Sequence, residues 1–154
     1  MPEPPSEPPG GGPLPPRREP EAHPLTRGLL DTSVVVGLDL IDPAQLPDES
    51  TIAAVTLAEL AAGPHATDDE AERARRQDRL QWAAATWDPM PFDADAARAY
   101  GRVFAATRVA GRSSRTRLAD LLIAATAVAN DLDLYTRNPA DLVGLSDIVR
   151  VVEI

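Results

Sequence analysis

Short apolar runs alternate with longer amphipathic stretches along most of the chain. The short runs are rich in branched aliphatic residues and predict β-strands. These strands are expected at residues 27–30, 51–55, 132–135 and 148–152, with a short edge strand at 87–92, where two prolines exclude a central strand. The longer stretches predict helices at 33–40, 56–62, 68–86, 93–109 and 118–130. This alternation predicts an α/β fold with a mainly parallel sheet flanked by helices.

The helix expected at 93–109 carries an apolar stripe. Ala96, Ala97, Tyr100 and Phe104 follow one another at roughly helical spacing. Residues at this spacing share one face of a helix. We therefore expect the stripe to pack against the core or against a second subunit.

The first 24 residues differ in composition from the rest. Proline, glycine and glutamate dominate them, and Leu14 is the only large aliphatic side chain after the initiator methionine. Such a segment cannot offset its ordering entropy by burial. We expect residues 1–24 to form a disordered Pro/Gly-rich tail and residues 25–154 to form one folded domain. A polyproline II segment that docks on an aromatic groove is the alternative for the tail.

The composition excludes several kinds of catalytic chemistry. The chain of 154 residues has no cysteine and no lysine, which removes thiolate metal sites, cysteine nucleophiles and Schiff-base chemistry. The two histidines, His23 and His65, are next to prolines and do not form a metal-binding pattern. Catalysis must then use carboxylates. The absence of cysteine fits a reducing cytoplasm, and no apolar run is long enough for a membrane helix.

Four acids fall where a parallel sheet would bring them together. Asp31 follows the first strand, Glu59 lies in the helix after the second, and Asp141 follows the third. Asp120 lies in the first turn of the helix that precedes the third strand. The carboxyl ends of parallel strands share one edge, where ligands usually bind. We expect the four carboxylates to converge there.

Each acid also has a purely structural explanation. Asp31 could cap the helix that follows it, and Thr56 and Glu59 have the spacing of a capping box. Asn138 could cap a turn that holds Asp141 at its third position. An acid in the first turn of a helix also favours the helix dipole.

The four acids together favour a metal site. Carboxylates crowded at one edge repel one another unless a cation lies among them. Oxygen ligands without cysteine or histidine select Mg²⁺ or Mn²⁺ over zinc or copper. Such an ion can activate water against a phosphodiester, which makes hydrolysis of a nucleic acid the natural chemistry.

A row of arginines supports a polyanionic substrate, although the net charge of the chain is -9. The row precedes Asp120, and no acid intervenes after Asp95. Its members are Arg108, Arg112, Arg115 and Arg117. Arginine pairs bidentately with phosphate, so the row could seat a nucleic-acid backbone. An ordinary solvated loop and helix end is the alternative.

The acids lie within longer motifs whose order and spacing resemble those of PIN-domain ribonucleases, especially the VapC-type toxins of bacterial toxin-antitoxin pairs. The matching segments are Leu29–Ser33, Val55–Leu60, Leu118–Ala127 and Tyr135–Asp141. The resemblance implies a PIN-like three-layer sandwich. One departure is Leu142, where the family commonly has an aromatic residue.

The resemblance also implies an activity and partners. It implies a metal-dependent endoribonuclease that binds Mg²⁺ or Mn²⁺ through Asp31, Glu59, Asp120 and Asp141. Ser33 and Asn138 would support this site. A homodimer is implied as well, together with a cognate antitoxin whose C-terminal segment covers the site. Two alternatives stay open, namely a catalytically inactive PIN-fold module that only binds protein and a nuclease that acts on DNA.

Overall fold

The computed structural model describes residues 1–2, 23–111 and 118–154. Its strands are β1 (Arg27–Leu30), β2 (Glu49–Ile52), β3 (Asp133–Thr136) and β4 (Val151–Glu153). Its α-helices are α1 (Thr32–Val36), α2 (Ala54–Ala62), α3 (Glu70–Thr86), α4 (Ala94–Val109) and α5 (Leu118–Ala129). Short 3₁₀ turns occur at Leu38–Leu40, Pro43–Gln45, Gly63–Ala66 and Pro139–Leu142.

The strands form one sheet in the order β2-β1-β3-β4, and each neighbouring pair is parallel. In register, Leu30 at the end of β1 lies between Ile52 of β2 and Tyr135 of β3. Because all four strands run the same way, their carboxyl ends meet at one edge. The parallel sheet that the sequence predicts is therefore confirmed.

Helices cover both faces of the sheet. Leu29 and Leu134 point to one face and pack in a core with α4 and α5. Leu30, Ile52 and Tyr135 point to the other face and pack in a second core with α1, α2 and α3. Strand residues alternate between the two faces, so each core uses every second side chain. This arrangement is a three-layer sandwich, as the sequence predicts.

The prediction of an edge strand at 87–92 is wrong. In its place, Met90 alone forms a parallel bridge with Ala53. The Met90 amide donates to the Ile52 carbonyl at 2.8 Å, and its carbonyl accepts from the Ala54 amide at 2.7 Å. Prolines flank Met90 on both sides and have no amide hydrogen, so the pairing cannot extend.

The start of α2 also differs from the expectation. The helix begins at Ala54 after Ala53, which gives no side-chain cap, and so the capping box of Thr56 and Glu59 is wrong. The bridge to Met90 holds Ala53 in an extended conformation just before the helix. A contact so distant in sequence leaves no local signal.

The buried face of α4 is displaced from the expected stripe. Ala96, Ala99, Val103 and Thr107 are buried, whereas Ala97 is exposed. These buried residues repeat every three to four positions, and Ala99 and Val103 among them pack in the core with α5. Tyr100 and Phe104 are only half-buried and form a tilted ring pair, with centroids 6.1 Å apart.

Two predictions fall on residues that the structure does not describe. The disordered tail at 1–24 lies mostly in residues 3–22, and three arginines of the basic row lie in residues 112–117. Leu142 is buried in the core beneath α5, which accommodates the departure from an aromatic residue. Within the described ranges, no helix has both the length and the apolarity needed to cross a bilayer.

Candidate active site

Asp31 lies at the carboxyl end of β1 and at the start of α1. Its amide donates to the Tyr135 carbonyl at 2.9 Å, which extends the pairing of β1 with β3 by one residue. Its side chain is the N-cap of α1, where Oδ1 accepts from the Thr32 amide at 2.9 Å. The capping interpretation is therefore correct for Asp31. A further role must use the lone pairs of the carboxylate that the cap does not occupy.

Two hydroxyls hold the other oxygen of Asp31. Ser33 Oγ and Thr136 Oγ1 each donate to Asp31 Oδ2 at 2.9 Å. Together with the hydrogen bond from the Thr32 amide to Oδ1, the carboxylate accepts three hydrogen bonds, and Asp31 is 7% exposed. Three donors at fixed positions hold the carboxylate in one orientation. The structure therefore places a buried, oriented carboxylate at the carboxyl edge of the sheet.

Thr136 is a site residue that sequence reasoning missed. It ends β3, is fully buried, and its hydroxyl also accepts from the Asn138 amide at 3.0 Å. The register pairs Tyr135 with Leu30, which brings the next residues, Thr136 and Asp31, side by side. The rule that located Asp31, a polar residue at the carboxyl end of a strand, could also have located Thr136.

Glu59 lies in the middle of α2 and is exposed. Thr32 Oγ1 donates to Glu59 Oε1 at 2.6 Å. Because the Thr32 amide also donates to Asp31, one residue binds both acids. The structure therefore brings Asp31 and Glu59 to the same place, and Thr32 is a second residue that sequence reasoning missed.

Asp120 and Asp141 lie toward the same edge of the sheet. Asp120 is the third residue of α5, which turns directly into the amino end of β3 through residues 130–132. The beginning of α5 is therefore near the carboxyl end of that strand. Asp141 is the third residue of the 3₁₀ turn after β3, and its amide donates to the Asn138 carbonyl at 3.0 Å. Both acids are half-buried.

Asn138 does not cap this turn with its side chain, so that alternative explanation is wrong. Arg108 is exposed in the last turn of α4. The remaining arginines of the row, Arg112, Arg115 and Arg117, lie outside the described residues.

The donor chemistry fits a hard divalent cation. Asp31 and Glu59 present carboxylate oxygens, and no ion pair between described residues includes either acid. Oxygen ligands of this kind suit Mg²⁺ or Mn²⁺. Over residues 23–111 and 118–154, however, no three acidic or histidine side chains are close enough to hold one ion. Holding a cation with all four acids therefore requires side-chain movement.

A cavity of about 350 Å³ opens beside Glu59, between α1, α2 and α3. Thr32, Glu59 and Arg79 are among its lining residues. Val36 and Arg79 also line a second cavity of about 390 Å³, which extends to Trp82. Trp82 is 45% exposed, and its ring meets Trp87 edge to face at 5.1 Å between centroids. Exposed apolar side chains, Val36 and Trp82, therefore lie on the surface that continues from Glu59.

Comparison with known proteins places these features in a family. The family model for the PIN domain matches residues 29–140. The chain is 37% identical over 114 residues to Ribonuclease VapC5 of Mycobacterium tuberculosis, with 72% of this chain and 82% of that protein covered. It is also 38% identical over 101 residues to Ribonuclease VapC8 from the same species, with 65% of this chain and 89% of that protein covered.

Solved structures give the same result. The crystal structure of VapBC-5 from Mycobacterium tuberculosis, a member of the VapBC family of toxin-antitoxin systems, matches with a TM-score of 0.73 and 34% identity. The match covers 84% of this chain and 99% of that chain. FitAcB from Neisseria gonorrhoeae matches with a TM-score of 0.60 and 24% identity, covering 81% of this chain and 96% of that chain. This second similarity supports the fold alone.

Proposed function

The chain belongs to the PIN domain family, and from that premise we propose that it is a metal-dependent endoribonuclease, the toxin of a toxin-antitoxin pair. The observation that carries the proposal is the buried Asp31 carboxylate, which is held by three hydrogen bonds and linked through Thr32 to Glu59. A charged, oriented carboxylate pair at the carboxyl edge of a parallel sheet suits cation binding better than it suits stability.

We assign the cation, Mg²⁺ or Mn²⁺, to the four acids together. The ligands would be Asp31, Glu59, Asp120 and Asp141. Such an ion lowers the pKa of a bound water and stabilises negative charge on phosphoryl oxygens. Ser33 and Thr136 keep Asp31 oriented, and Asn138 supports the turn that carries Asp141. No lysine or histidine nucleophile is required.

The substrate in this proposal is RNA. Two relatives with more than a third of their aligned residues identical are named ribonucleases. The basic row Arg108, Arg112, Arg115 and Arg117 would bind the RNA backbone. Phosphate contacts of this kind position a substrate, while the site acts on it. Such a role requires no base recognition by these arginines.

The partner in this proposal is an antitoxin protein. The VapBC-5 structure is that of a member of a family of toxin-antitoxin systems. In the present chain, exposed Val36 and Trp82 line one cavity, and Val36 also lines the cavity beside Glu59, so a partner could cover these apolar side chains. A homodimer and a cytoplasmic location complete the proposal.

A direct test uses the purified full chain without any antitoxin. RNA and DNA oligonucleotides of matched sequence are incubated with Mn²⁺ or with EDTA, and Asp31→Asn protein purified in the same way controls for contaminating nuclease. We expect wild-type protein to cleave RNA only with Mn²⁺. Cleavage of DNA alone would favour the DNA nuclease, and cleavage of neither, with the neighbouring gene's product still bound, would favour the inactive binding module.

A further inference from the structure

We propose that Thr32 is a positioning residue that aligns the Glu59 carboxylate with Asp31 for cation binding, a role that rests on the function proposed above. Thr32 differs from the acids because it brings no charge to the site. It follows Asp31 directly and begins α1. Its backbone and its side chain bind different acids, which come from β1 and from α2.

Thr32 makes a short hydrogen bond to each of the two acids. Its amide donates to Asp31 Oδ1 at 2.9 Å, and its hydroxyl donates to Glu59 Oε1 at 2.6 Å. Within the described residues, no other residue hydrogen-bonds to both acids. An O–H···O⁻ bond of this length is of the charge-assisted, stronger kind. Thr32 therefore fixes one carboxylate relative to the other.

Thr56 offers the Thr32 hydroxyl a second acceptor. The two hydroxyl oxygens are 3.1 Å apart, and Thr56 is 0% exposed. A threonine has only one hydroxyl hydrogen, and Thr32 uses it on the carboxylate, which can only accept. The geometry also makes Thr32 the donor toward Thr56, but at 3.1 Å and to a neutral oxygen, against 2.6 Å to the Glu59 carboxylate. The bond to Glu59 is therefore the stronger of the two.

Glu59 needs such a restraint more than Asp31 does. Its side chain is exposed on α2 and has three rotatable bonds, so in isolation it would sample many orientations. Repulsion from Asp31 would also turn it toward solvent. A hydrogen bond from Thr32 opposes both effects before a cation arrives. Partners that orient a metal ligand typically change metal affinity or activity by about 10- to 100-fold.

A purely structural role makes a different prediction. If Thr32 only ties α1 to α2, its loss would lower stability and leave the cation affinity of the folded protein unchanged. The test therefore measures Mn²⁺ binding directly, in addition to cleavage. It compares Thr32→Val, which removes the hydroxyl, with Thr32→Ser, which keeps it. Thr107→Val is the matched control, because it removes a buried hydroxyl that donates to the Val103 carbonyl on α4.

Titration calorimetry with Mn²⁺ alone and steady-state RNA cleavage are measured on the full chain. We expect Thr32→Val to weaken Mn²⁺ binding and to lower kcat by about 10- to 100-fold with little change in KM for RNA. Thr32→Ser should restore both to near the wild-type values, and Thr107→Val should change neither. Melting in chelator checks that each variant is folded.

Thr32→Ala keeps the test decisive if Thr32→Val does not fold. It also removes the hydroxyl but introduces no branched side chain, so Mn²⁺ binding should weaken by a similar factor. The inference is overturned if Thr32→Val, or Thr32→Ala in its place, binds Mn²⁺ as tightly as wild type, or if Thr32→Ser is as weak as Thr32→Val. If wild-type protein neither binds Mn²⁺ nor cleaves RNA, the proposed function fails together with this inference.

Discussion

Asp31 caps α1 and is also one of the proposed ligands of the cation. One oxygen caps α1 through the Thr32 amide, and the other accepts from Ser33 and Thr136. A cap alone would be served as well by asparagine, but an amide group cannot accept at both ends. The two hydroxyl donors on Oδ2 are therefore the feature that separates this acid from an ordinary helix cap.

Loss of the Thr136 hydroxyl should destabilise the folded chain. Thr136→Val removes a donor to the buried Asp31 oxygen and the acceptor of the Asn138 amide. Leaving such groups unsatisfied costs about 1–3 kcal/mol. Urea unfolding would measure the difference from wild type, with Thr107→Val as the buried threonine control. A Thr136→Val variant no less stable than that control would contradict the account.

Among the site residues, the sequence predicts the acids better than the threonines. Asp31 and Glu59 could be recognised because acids are rare in apolar surroundings and have few roles there. Thr32 and Thr136 resemble any threonine until the register of β1 against β3 and the start of α2 are known. Those features depend on contacts between distant parts of the chain, so single-sequence patterns do not show them.

The elements themselves follow the hydrophobic pattern closely. β1 has the expected bounds, and α3, α4 and α5 begin and end within two residues of their predicted positions. The errors at Met90 and at the start of α2 arise where the Ala53 bridge decides the outcome. The first helix also ends early, at Val36 instead of residue 40, and the last strand begins at Val151 instead of residue 148. Local pattern therefore locates the long helices, whereas tertiary pairing decides short extended segments.

Gly28 in β1 leaves room for the Tyr135 ring of the neighbouring strand and for Pro47. A Cβ at this position would meet the Tyr135 ring, and Pro47 Cγ would lie 3.1 Å away. We expect Gly28→Ala to lower the free energy of unfolding by about 1–3 kcal/mol through overpacking. The measurement is urea unfolding of the full chain.

Gly101 provides the matched comparison. A Cβ added there meets nothing within 4 Å, and the residue lies inside α4. Gly101→Ala should raise stability by up to about 1 kcal/mol, because alanine favours the helix. Equal effects of the two substitutions would show that β1 tolerates a side chain at Gly28.

The charge of the whole molecule opposes RNA binding, so local positive charge must supply the affinity. The net charge is -9, and the proposed row must act against that field. Arg112→Ala with Arg115→Ala should weaken RNA binding and reduce the slope of log affinity against log salt by about 1.4, since each contact to a single strand contributes about 0.7.

The matched control for the row removes the same charge elsewhere. Arg98→Ala with Arg102→Ala changes two exposed arginines on α4, one of which pairs with Asp95. This pair should leave the salt slope near that of wild type. Identical slopes for the two double variants would mean that the row acts only through net charge.

The N-terminal segment is proposed to be dispensable. Its composition gives it little apolar surface to bury, so it should contribute little to folding. Deleting residues 1–24 should leave the melting temperature and the RNA cleavage rate unchanged. A loss of either would show that the segment docks on the domain.

The most direct test of the central claim, that acids from separate elements form one catalytic site, is the Mn²⁺-dependent RNA cleavage rate of Asp120→Asn. Asp120 is well suited because it lies on α5, far in sequence from Asp31, and asparagine is tolerated in the first turn of a helix. With protein that melts like wild type and contains no antitoxin, we predict a loss of at least about 100-fold. Full cleavage activity in this variant would contradict the claim.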